Sequence, residues 1–69
     1  MGEGTDDAIA ILALNVEEHA ASWNAYDSLG EAYITAGKRE LAIANYKKSL
    51  ELNPANTNAT QMLERLKAR

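Results

Sequence analysis

Few residues in this 69-residue sequence are of a type and spacing that could do chemistry. His19 is the single histidine, and Glu17 and Glu18 stand just before it. An imidazole beside carboxylates suits proton transfer or the holding of a divalent cation. Catalysis would also require a positioned nucleophile or a second acid–base group, and none follows at a useful spacing. Without cysteine there is no thiolate and no disulfide. Asp6-Asp7 and Glu17-Glu18 are paired carboxylates, but they lack the glycine turn and alternating oxygen ligands of a calcium loop. Asn58-Ala59-Thr60 has the form of a glycosylation sequon, and its place in a predicted helix with no secretory leader argues against use. His19 is therefore expected to be a structural or solvated group at a helix end, where the dipole favours a cation. No catalytic, cofactor-binding or metal-binding residue is expected, and no small-molecule substrate.

The elements that carry these side chains all read as helices. Tyr26, Leu29, Gly30 and Tyr33 recur at i, i+3, i+4, i+7, one face of a helix spanning about Trp23 to Ala36. A glycine inside a helix costs about 1 kcal/mol against alanine, which calls for a reason. Close approach of a second helix supplies one, and Gly30 is expected to face the small Ala42. Gly37 ends this helix by taking the left-handed conformation. A second amphipathic run, Glu40 to Leu52, points Ala42, Ile43, Tyr46, Ser49 and Leu50 inward, and Asn53-Pro54 stops it. Upstream, Thr5 is expected to cap a helix from Asp6 to His19, with Asp6 and Asp7 in its positive first turn. Ser22 and Asn56 are expected to cap the second and fourth helices, the latter over Thr57 to Ala68 with Ala59, Leu63 and Leu66 inward. Short connections force consecutive helices to run antiparallel, giving an all-α fold of about four helices.

Length and charge narrow the classes further. One small domain is expected, burying only roughly 60% of its unfolded surface. No apolar run approaches the roughly 20 residues of a membrane span. Met1-Gly2-Glu3-Gly4 lacks the basic start of a secretory signal, so a cytoplasmic location is expected. The net charge of −3 is unevenly laid out. Seven acids and no lysine or arginine occur up to Gly37, whereas seven bases and three acids follow from Lys38. The basic half has no stripe of arginines with interleaved aromatics, so nucleic acid is not expected as a partner.

Leu29-Gly30-x-x-Tyr33, Ala42-x-x-x-Tyr46 and Pro54 stand at the spacing of a tetratricopeptide repeat, which this stretch resembles closely. Tyr26 occupies the family's usual tryptophan position and Ser49 its usual alanine. A shift of 34 residues also lays Ala8-Ile9-Ala10 on Ala42-Ile43-Ala44, Glu17 on Glu51, Ala21 on Ala55, Asn24-Ala25 on Asn58-Ala59 and Leu29 on Leu63. The expected organisation is a flexible start over 1–5, a half repeat over 6–22, a full repeat over 23–56 and a capping helix over 57–69. Tyr26, Leu29, Gly30, Tyr33, Ala42, Tyr46, Leu50 and Pro54 are the expected repeat-packing positions.

The resemblance implies a protein-binding role without catalysis. In the family the first helix of each repeat lines a concave groove. The corresponding positions are Asn24, Asp27, Ser28, Glu31, Ile34 and Thr35, joined on the last helix by Asn58, Gln61, Met62 and Arg65. The lysine, asparagine and arginine clamp by which some members hold a terminal carboxylate is replaced by Asp27 and Glu31, so a basic or neutral segment is expected there.

A second surface is legible from the residues themselves. Ala8 to Val16 is apolar nearly all the way round, interrupted by Asn15, and such helices are normally buried on every side. Ile11 and Leu14 align with the polar Asn45 and Lys48 of the full repeat. Ala8, Ile11, Leu12 and Leu14 are therefore expected to mediate self-association, as a homodimer, or docking on a parent domain if the chain is a fragment or tail of a larger protein. Two other readings stand beside this one: a small regulatory or catalytic subunit with an acid–base or metal site around His19, and a designed or excised repeat fragment without native role.

Overall fold

The computed structural model describes residues 3–68, with side chains described from residue 7 onward. Four helices follow one another: α1 (Glu3–Glu18), α2 (Trp23–Thr35), α3 (Arg39–Leu52) and α4 (Thr57–Lys67). No strand occurs among the described residues, so the all-α expectation is met. Helices pack chiefly on their neighbours in sequence, α2 against α3 most extensively, then α1 against α2 and α3 against α4. The product is a slab of 32 × 31 × 14 Å between Cα extremes, thin enough that every helix has a face near solvent.

Local chemistry sets the helix ends. Ser22 has extended geometry (φ −92°, ψ 109°), and its side-chain oxygen accepts from the Ala25 N–H at 3.4 Å. At the other end of α2, the Lys38 N–H donates to the Tyr33 carbonyl at 2.8 Å and the Gly37 N–H to the Ile34 carbonyl at 3.0 Å. This pair of bonds is a Schellman motif, and it needs Gly37 at φ 77°, a conformation glycine adopts without steric cost. α3 stops where the Asn53 N–H closes on the Ser49 carbonyl at 2.8 Å and the Asn53 side chain turns back to accept from the Ala55 N–H at 3.2 Å. Asn56 then caps α4, accepting from the Ala59 N–H at 3.3 Å.

α1 departs from expectation at its start. It begins at Glu3, so Gly4 and Thr5 are helical and Thr5 is not the cap. The reason lies in propagation: with no proline or competing cap, each further residue adds a backbone bond to an existing helix. Met1, Gly2 and Arg69 lie outside the described residues.

The core is formed by Ala42, Tyr46, Ala59 and Leu63, with Tyr33, Ile34, Ile43, Leu50, Met62 and Leu66 packed around it. Ala25 and Leu29 are buried on α2, while Pro54 is exposed at its turn. Gly30 has a partner other than the one expected. A Cβ built on it would meet the Tyr46 ring, 2.9 Å from Cε2 and 3.0 Å from Cδ2. The glycine thus makes room for an aromatic ring rather than for backbone opposite Ala42. Tyr46, only 1% exposed, is the largest fully buried side chain.

Candidate functional site

The positions expected to line the concave face separate into two environments. Near the start of α2, Asp27 is tied into the fold. Asn56 Nδ2 donates to Asp27 Oδ2 and to Ser49 Oγ, each at 2.8 Å, and Ser49 Oγ donates to the Trp23 carbonyl at 2.9 Å. Asn58 Nδ2 donates to both Asp27 oxygens, at 3.1 and 3.2 Å. One chain of bonds therefore runs from α2 through α3 to the cap of α4. Asp27, a candidate on the concave face, is thus an acceptor within the fold, and Asn58, another candidate there, is one of its donors. Asn24, Glu31, Thr35 and Gln61 are exposed, and Ser28 is half-buried. Thr35 Oγ1 donates to the carbonyl of Glu31, so neither is brought to a common ligand point by that bond.

The same acids act on Tyr46. Its phenol is pushed up from 10.0 to about 12, first by burial and then by the negative charges of Asp27 and Glu31. Near neutral pH it is a protonated, buried core residue and offers no nucleophile.

Toward the other end of α2 the structure brings Ile34, Met62 and Arg65 together. With Gly37, Arg39 and Leu66 they line a groove of about 690 Å³. Its floor is apolar and half-buried, and its two guanidinium groups stand on exposed residues at the rim. The ion pair found among the described residues lies elsewhere, between Lys48 Nζ and Glu51 Oε1 at 3.6 Å. Arg39, Gly37 and Leu66 were missed in the sequence as groove residues. Leu66 carried a signal, its helical spacing from Met62. Gly37 enters from the turn between α2 and α3 and Arg39 as the first residue of α3, which a reading of the α2 and α4 faces does not reach.

The third feature is the outer side of α1. Ile11 is 68% exposed and Leu14 55%, and Ala8 is exposed with them. Leu12, by contrast, is half-buried with Ile9, Ala13 and Val16, on the side that meets α2. Self-association through Leu12 is thus limited to what α2 leaves open. Asp7, Ile11, Leu14 and Glu18 are all exposed and form one stripe at i, i+4, i+7, i+11. Trp23 begins α2 beside the turn from α1 and is 38% exposed.

His19 is exposed in that turn. No group of three or more His, Cys, Asp or Glu side chains that could hold a metal occurs among the described residues. No described helix is long and apolar enough to cross a membrane.

Short helices packed on their neighbours in sequence, a ring seated on a glycine and a glycine-stopped α2 define a helical-repeat fold. Residues 24–56 match the family model of the tetratricopeptide repeat. Such repeats generally mediate interactions between proteins and are generally not catalytic. Searches of curated proteins and of solved structures gave no match.

Proposed function

We propose that this chain is a non-catalytic module that binds protein, and that it self-associates through the outward face of α1. The observation that carries this reading is the exposure of Ile11 and Leu14 on a helix whose main packing is against α2. Neighbouring large apolar side chains left in water favour a partner. Burying each contributes roughly 1.5–3 kcal/mol, set against the loss of translational and rotational freedom on association. The affinity is therefore modest, in the micromolar range or weaker. α4 supports the reading by contrast. Its free side presents Thr60, Glu64 and Lys67, all exposed, and so suits solvent rather than another helix.

Sedimentation equilibrium over a dilution from several hundred to about 10 µM tests the proposal. The expected result is a mass above the monomer at the upper end that falls on dilution. A single monomeric species throughout would overturn it.

A further inference from the structure

We infer that the α1 stripe of one copy seats in the groove between α2 and α4 of another copy, a contact of unlike surfaces rather than a pairing of α1 with α1. The inference rests on the proposed self-association and names its second surface.

Charge decides between the two arrangements. Along the stripe the order is Asp7, Ile11, Leu14, Glu18: apolar in the middle and acidic at both ends. No lysine or arginine occurs anywhere up to Gly37. If two α1 helices met antiparallel about the middle of the stripe, Asp7 would face Glu18 of the partner subunit at both ends. If they met parallel, Asp7 would face Asp7 and Glu18 would face Glu18. Either way acids meet acids around the apolar pair, which opposes association.

The groove has the opposite pattern. Ile34, Met62 and Leu66 form an apolar floor, and Arg39 and Arg65 bring two positive charges to it. Neither arginine has an ion-pair partner among the described residues. Ile11 and Leu14 project from adjacent turns of one helix face, an apolar pair to set against the apolar floor of the groove. The acids lie about 16 Å apart along the axis, from eleven steps of 1.5 Å, outside the apolar pair on either side. The same two surfaces do not meet within one molecule: the stripe residues are all exposed, and no α1 residue lines the groove. Each copy thus exposes one acidic apolar stripe and one cationic apolar groove, and each is the other's complement.

Two variants separate this contact from the alternatives. Ile11→Lys/Leu14→Lys removes the stripe and keeps the groove. Arg39→Glu/Arg65→Glu removes the positive groove and keeps the stripe. All four positions are exposed, and far-UV circular dichroism checks that helicity is retained. Each variant alone should sediment as a monomer, and an equimolar mixture should form a one-to-one complex at parent-like affinity. Raising salt from about 50 to about 500 mM should weaken association of the parent chain, whereas acid-on-acid pairing of α1 helices would strengthen as salt screens it. Undiminished self-association of Arg39→Glu/Arg65→Glu, or a mixture that stays monomeric while the parent associates, would overturn the groove as partner and leave the role of α1 standing. A parent chain that never associates would instead overturn the reading beneath it.

Discussion

Gly30 and Tyr46 act as a pair, the missing side chain of one making room for the ring of the other. A Cβ at 2.9 to 3.1 Å from three ring atoms leaves no space for a larger residue, and the buried ring has no solvent to swing into. Gly30→Leu should cost about 1–3 kcal/mol by overpacking, despite leucine's better helix propensity. In a domain of this size that corresponds to a thermal midpoint at least about 4 °C lower. An unchanged midpoint would mean that the ring does not rest on the glycine. Tyr46 also makes stability depend on alkaline pH. Its proton is held up to about 12 in the folded chain against an ordinary 10.0. The stabilisation is fully present below pH 10 and is lost as pH rises through that interval, because the unfolded chain ionises first. A two-unit difference is worth roughly 2–3 kcal/mol. Urea midpoints measured between pH 9 and 12 should fall, and more steeply than those of Tyr46→Phe.

Among the elements, the helix ends were largely legible in the sequence. Ser22, Gly37, Asn53-Pro54 and Asn56 act through bonds to residues a few positions away, so their chemistry can be read locally. The first helix was not bounded correctly because nothing stops it, and a missing stop is a weaker signal than a present one. Contacts that span the chain were the hard part. Gly30 was assigned to Ala42 because both are small, yet which residue meets the glycine depends on how α2 and α3 cross. The bonds to Asp27 are not legible locally, because its donors Asn56 and Asn58 are 29 and 31 positions away. Asn56 is the residue on which these long-range bonds converge. Asn56→Ala removes the α4 cap and leaves Ser49 Oγ and Asp27 short of a donor, at a cost of about 1–3 kcal/mol. Hydrogen exchange should show faster opening of α4 amides than of α2 amides in this variant. Equal acceleration in both helices would mean that the cap holds no particular element.

At the scale of the whole molecule, the slab exposes surfaces of different kinds. α4 turns a polar side outward, the groove between α2 and α4 is apolar and cationic, and the stripe on α1 is apolar and acidic. The apolar stripe was legible from Ile11 and Leu14 alone, through their alignment with Asn45 and Lys48. The groove was not, because it is assembled from a helix end, a turn and a second helix. The most direct test of the α1 face as the interaction surface is an NMR dilution series on the parent chain, from about 500 to about 10 µM. The amide signals of Ile11, Leu14 and their neighbours on the outer side of α1 should shift with concentration, together with those around Arg39, Met62 and Arg65. Shifts that leave α1 untouched and gather on Asn24, Glu31 and Thr35, or spectra that do not change at all, would contradict the account.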